Sequence, residues 1–116
     1  MIRKLLAPAL AAALAGFLAT AALAATKSVK VGDNYYVRAS GVPTVTVKKG
    51  SKLKFNFTGS AVHNARGVGI NLGSSCRKTR SSGSCTSAAL NKVGTFTVYC
   101  EVHGKSDQRM KLRVTR

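Results

Sequence analysis

The sequence predicts a small all-β domain, and three observations carry that prediction. Short runs in which apolar and polar residues alternate recur from Thr26 to the C-terminus. Gly, Ser, Asn and Pro punctuate those runs, as turns between strands require. No segment after Thr26 sustains a helical period. The first residues stand apart from this pattern. Arg3 and Lys4 precede a nearly unbroken Ala and Leu stretch from Leu5 to Leu23, which ends in Ala22-Leu23-Ala24. A basic start, an apolar centre and a small-residue cleavage box together describe a secretory leader. An uncleaved membrane anchor is the competing reading, because the stretch approaches spanning length. Its Ala richness, Pro8 and the small-residue box favour export. The expected organisation is a signal peptide over residues 1–24 and one domain over residues 25–116, periplasmic or secreted.

Within that domain, Ser28 to Val31 and Tyr35 to Ala39 are expected as the first strands, about a Gly32-Asp33-Asn34 turn. Pro43 to Lys48 follows, with Val45 and Val47 alternating against Thr44, Thr46 and Lys48, and Lys49-Gly50 marks the next turn. Ser51 to Thr58 is the clearest strand. Leu53, Phe55 and Phe57 fall on one face and Lys52, Lys54 and Asn56 on the other, so one face is buried and one is wet. Thr95 to Val102 repeats the pattern with Phe96, Val98 and Cys100, and Met110, Leu112 and Val114 repeat it again before the C-terminus.

Between these strands lies a polar, Ser-rich stretch from Gly73 to Ser87 that carries Cys76 and Cys85. A loop of that length in a small domain is usually functional or stapled. Three cysteines in an exported chain leave one over. Cys76 and Cys85 lie close together in sequence and are expected to pair, which makes Cys100 the odd thiol. An odd thiol at an alternating strand position is, taken alone, more often an inert core residue.

Charge restricts partners more than chemistry. The chain has 19 Lys and Arg against 3 Asp and Glu; without Arg3 and Lys4, 17 basic residues remain, a formal +14. Nucleic acid is the usual partner of such a charge, but an exported protein normally meets none. An acidic protein, an anionic cell-wall polymer or an anionic membrane surface fits better, and no nucleic-acid role is expected. The basic residues are scattered through the strands and loops, as on a solvated β surface. The only acids are Asp33, Glu101 and Asp107. With no paired carboxylates, no Ser-His-Asp set and no phosphate loop, nothing supplies substrate chemistry, and the protein is not expected to be an enzyme.

The neighbours of Cys100 change its reading. Cys100-Glu101-Val102-His103 puts a thiol at a strand end and an imidazole just beyond, and Met110 opens the next strand. The other histidine, His63, follows the clearest strand and its Gly59-Ser60 turn. Two imidazoles, a thiolate and a thioether form the donor set of a mononuclear blue-copper site. Soft sulfur suits the cuprous ion and imidazole also suits the cupric one, so one cage tolerates both. Zinc is the competing metal, but its structural sites favour closely spaced cysteine pairs that this chain lacks.

The chain resembles the small cupredoxins, the plastocyanin and pseudoazurin group, in its run of strands, in His63-Asn64, and in Tyr99-Cys100-Glu101-Val102-His103 followed by Met110. The resemblance implies a Greek-key β-sandwich with the metal at one end. It implies one type 1 copper ion held by His63 from one loop and by Cys100, His103 and Met110 from another, with Asn64 tethering the two loops. Two departures matter. Four residues usually separate the second His from the Met, whereas six do here, and counting four lands on Gln108. Gln is also an axial ligand type; strand context favours Met110. Val102 stands where many relatives carry Pro.

The function implied is a monomeric carrier of single electrons between redox partners. An acidic partner would dock at His103 and Gly104, steered by Lys105, Arg109 and Arg66. Two alternatives differ in class: a module that delivers or stores copper, and a cationic exported binding protein whose fold has no redox role.

Overall fold

The computed structural model describes residues 24–116. The expected leader, Ala24 excepted, lies outside the described residues. Eight strands follow in order: β1 (Thr26–Gly32), β2 (Tyr35–Tyr36), β3 (Thr44–Lys48), β4 (Lys52–Phe57), β5 (Arg66–Val68), β6 (Ser84–Thr86), β7 (Gly94–Tyr99) and β8 (Arg109–Thr115). A single 3-10 turn, Ser75–Arg77, is the only helical element among the described residues. The strands form two four-stranded sheets, β2-β1-β4-β6 and β3-β8-β7-β5. The architecture is all-β, as the alternation predicts, and its two sheets match the sandwich that the resemblance implies.

The period of two decides which side chains meet. Along β4, Leu53, Phe55 and Phe57 are buried while Lys52 and Lys54 face solvent. Along β8, Met110, Leu112 and Val114 are buried and Arg109, Lys111 and Arg113 are exposed. The inner faces join Val29, Val31, Leu53, Phe55, Val98 and Leu112 into one core. Full burial of such a side chain is worth roughly 1.5–3 kcal/mol, so the β4 and β8 pattern outweighs local propensity. β1 runs parallel to β4 and β3 parallel to β8, while β7 is antiparallel to both β5 and β8.

Three local differences from the sequence expectation have simple causes. The second strand stops at Tyr36 because Val37 takes a left-handed backbone, φ 69°, which a β-branched residue adopts only under tertiary constraint. β5 and β6 are three residues each, too short to show alternation, and exist because β7 and β4 offer them open edges. The Gly73 to Ser87 stretch thus contains a strand.

That stretch is also stapled. Cys76 in the 3-10 turn and Cys85 in β6 bring their sulfurs to bonding distance, with the Cα atoms 5.3 Å apart. Mass spectrometry of the unreduced protein is expected to find a peptide joining Cys76 to Cys85 and none joining Cys100 to either. Replacing both with Ala should lower unfolding free energy by about 2–3 kcal/mol, the chain-entropy value for a short loop, measured by denaturant titration. A linkage through Cys100 would remove that thiol from any metal site.

Candidate metal centre

Three segments converge at one end of the sandwich. The first leaves β4 at Phe57 and carries Gly59 to His63. His63 is fully buried and its backbone exchanges hydrogen bonds with Arg80, His63 N–H donating to Arg80 O (3.0 Å) and Arg80 N–H to His63 O (2.9 Å). Ala65 N–H donates to Cys76 O. The stapled stretch is therefore the floor on which the His63 segment is fixed.

The second segment leaves β7 at Tyr99. Cys100 is buried and is the one cysteine free of the staple. The chain turns at once: Gly104 N–H donates to Cys100 O, Gln108 N–H to Gly104 O, and Cys100 N–H to Gln108 O. Gly104 takes φ 88°, the left-handed conformation that lets the loop double back without strain. This brings His103 Nδ1 to 3.5 Å from Cys100 Sγ. The His63 and His103 rings lie 4.7 Å apart between centroids. One donor atom from each of His63, Cys100 and His103 falls within 4.8 Å of the others.

Asn64 ties the first two segments together. Its Oδ1 accepts from Glu101 N–H (2.8 Å), and its Nδ2 donates to Arg77 O (2.9 Å) and Glu101 Oε1 (3.0 Å). The remaining Glu101 oxygen accepts from Arg66 (2.8 Å), and this guanidinium, together with Asn64, holds the Glu101 carboxyl below the usual carboxylate range. The Tyr36 phenol donates to Asn64 O from beneath. Its burial, with the nearby Cys100 sulfur, pushes its ionisation far upward, so it stays a neutral donor.

The third segment is the β1–β2 turn, in which sequence reasoning saw no functional residue. Asp33 Oδ1 lies 2.9 Å from His63 Nε2, and this contact, with the Ala61 and Ser60 N–H groups, holds the Asp33 carboxyl well below the usual carboxylate range. The same turn holds Gln108, whose Nε2 donates to Gly32 O (3.2 Å) and Tyr35 O (3.1 Å). With its amide nitrogen so committed, Gln108 aims Oε1 at His63 Nδ1, 2.8 Å away. Gln108 is fully buried. Met110 is also fully buried, but its strand register places it opposite Val98, further along β8 from the loop, among Leu112 and Val114.

The donor set fits a metal ion. Ligand nitrogens and thiolates lie about 2.0–2.3 Å from a bound ion, so their mutual separation is about 3–4 Å and a small contraction of the group suffices. When His63 Nε2–H donates to Asp33, its Nδ1 turns a lone pair toward another lone-pair atom, Gln108 Oε1. Both atoms are donors a metal ion accepts, and they lie 2.8 Å apart beside Cys100 and His103.

No family model matches the chain, and no curated protein matches it. Solved structures do. Oxidised plastocyanin from Dryopteris crassirhizoma is 20% identical, covers 76% of this chain and 99% of its own, and superposes with a TM-score of 0.57. Dithionite-reduced auracyanin from the photosynthetic bacterium Roseiflexus castenholzii is 16% identical over 83% of this chain and 100% of its own, TM-score 0.55. A glutamine-for-methionine variant of amicyanin in its Cu(I) form is 18% identical over 77% of this chain and 81% of its own, TM-score 0.51. The fold is that of the cupredoxins.

Proposed function

We propose that the chain is an exported type 1 copper protein that carries single electrons between redox partners and catalyses no reaction of its own. The observation that carries this reading is the convergence of His63, Cys100 and His103, with the thiol on a strand end, buried, and excluded from the staple. Bound there, copper would supply a one-electron couple. The chain's part is to hold two imidazoles and a thiolate so rigidly that neither oxidation state reorganises the site. Asn64, the Gly104 turn and the stapled stretch do this by fixing each ligand segment to its neighbours.

For the fourth position we propose Gln108. Its carbonyl oxygen faces His63 Nδ1, and its backbone oxygen accepts from Cys100 N–H, so residue 108 is held beside residue 100. The thioether expected there, Met110, lies one rung further along β8, opposite Val98. Adding cupric ion to residues 25–116 tests the whole reading: a strong visible thiolate-to-copper absorption is expected, and copper bound without colour would instead favour delivery or storage of the ion.

The partner we propose is an acidic redox protein meeting a monomer of this chain. Arg109, Lys111 and Arg113 stand in line on the exposed side of β8, and their cross-strand neighbours are Thr44, Thr46, Thr95 and Thr97 together with Tyr99. Like charges in a row without acids opposite repel one another, a cost that a negatively charged partner relieves. His103, half-buried in the ligand loop, would be the exit for the electron, with Lys105 and Arg109 steering. Steering by exposed charge is screened over a Debye length of about 8 Å. Electron exchange with an acidic partner is therefore expected to slow as salt rises, and Lys105→Glu with Arg109→Glu to slow it at low salt. A rate indifferent to salt would assign the charge to retention at an anionic wall or membrane surface.

A further inference from the structure

The two ring nitrogens of His63 face different partners, and the group at Nε2 is a carboxylate from the β1–β2 turn. Three contacts fix that carboxylate: Ser60 N–H (3.1 Å) and Ser60 Oγ–H (2.9 Å) donate to Asp33 Oδ2, and Ala61 N–H (3.0 Å) donates to Oδ1, the same oxygen that meets His63 Nε2. The approach requires a glycine. A Cβ at Gly59 would collide with Asp33 Oδ1 and Cγ, and Gly59 has no left-handed backbone to account for it. The turn itself is shaped by Asn34 at φ 66°, and it offers the Gly32 and Tyr35 carbonyls to Gln108.

Resting on the copper reading above, we propose that Asp33 is a positioning residue that holds His63 with Nδ1 turned to the metal and, through its negative charge, biases the bound ion toward the cupric state. The first half follows from hydrogen-bond chemistry. A carboxylate can only accept, so it selects the tautomer with the proton on Nε2 and leaves Nδ1 as the ligand. The second half follows from Coulomb's law. A carboxylate one ring-width from the ion stabilises the more positive oxidation state, though Asp33 is 44% exposed and water screens part of its effect. The preformed Ser60 and Ala61 cradle keeps the carboxylate ionised and still, so the bias is built in.

Three variants separate these effects. Asp33→Asn retains an acceptor for Nε2–H and removes the charge; the ratio of cupric to cuprous protein at a fixed poise should fall roughly tenfold, a potential rise of about 59 mV for one electron, with the visible spectrum kept. Asp33→Ala removes the acceptor as well and should weaken metal binding about 10–100-fold, the usual effect of losing an outer-shell partner. Gly59→Ala keeps every charge but expels the carboxylate, and should behave like Asp33→Ala. A readout independent of copper is nitrogen-15 NMR of the metal-free protein: the His63 Nε2–H should be protected from exchange in the native chain and in Asp33→Asn, and exposed in Asp33→Ala. An unchanged potential in Asp33→Asn overturns the electrostatic bias, and unchanged Nε2–H protection in Asp33→Ala overturns the positioning role. If the NMR result holds while copper fails to bind, it is the copper reading that falls and not the role of Asp33.

Discussion

Cys100→Ser is expected to leave a colourless protein. The visible absorption proposed for the copper-loaded domain arises from thiolate-to-copper charge transfer, and the structure offers one thiol at the site, buried at the end of β7. A serine hydroxyl occupies nearly the same volume but does not ionise at neutral pH, so it offers neither the charge nor the soft sulfur. Affinity should fall by more than the roughly 10–100-fold typical of outer-shell losses, because a direct ligand is gone. The fold should survive, since Cys100 N–H still donates to Gln108 O and Gly104 N–H still donates to the residue 100 carbonyl. Thermal melting of the metal-free variant checks this. Replacing Cys76 and Cys85 together, by contrast, should cost stability and keep the colour. A blue Cys100→Ser protein would place the thiolate elsewhere and end the proposal.

The second large effect is expected at Gln108. An amide oxygen is a harder donor than a thioether and favours the cupric ion, so Gln108→Met should raise the reduction potential and Gln108→Leu should raise it further. We expect a change on the order of a hundredfold in the cupric to cuprous ratio for the Leu variant, about 120 mV at 59 mV per tenfold, read by redox titration with the visible band monitored. The Leu variant also abandons the Gly32 and Tyr35 carbonyls that Gln108 now satisfies, so some loss of stability accompanies it. Met110→Leu is the contrasting change. It swaps side chains of similar volume in the core, which usually costs under about 1.5 kcal/mol, and should leave the potential where it was. A potential that follows Met110 and ignores Gln108 would return the axial position to the thioether.

Much of this was legible in the chain itself. Leu53, Phe55 and Phe57, or Met110, Leu112 and Val114, announce a strand with one buried face because a period of two admits no other regular structure, and the tertiary core then obeys that pattern. His63, Cys100 and His103 could be singled out because the chain has only two histidines and one cysteine beyond the close pair, with Cys100 directly after a strand and both histidines in loops that follow strands. β5 and β6 could not, since three residues carry no period and their pairing depends on edges supplied by distant strands.

The axial candidate shows where the sequence by itself stops. Counting from His103 points to Gln108 and counting from the last strand points to Met110, and spacing cannot choose because it does not contain the path of the loop. Tertiary structure supplies that path: the Gly104 turn draws Gln108 back beside Cys100, and the Gly32 and Tyr35 carbonyls orient its amide. Asp33 was invisible for the same reason. An Asp in a Gly32-Asp33-Asn34 turn reads as turn chemistry, and only folding carries it across 30 positions of sequence to His63 Nε2. Strand alternation is a local property, set by which side of the backbone each residue occupies, and the sequence determines it alone. The direction of a hydrogen-bonding atom at a site depends on which distant backbone groups satisfy its other end, and that is decided only when the segments pack.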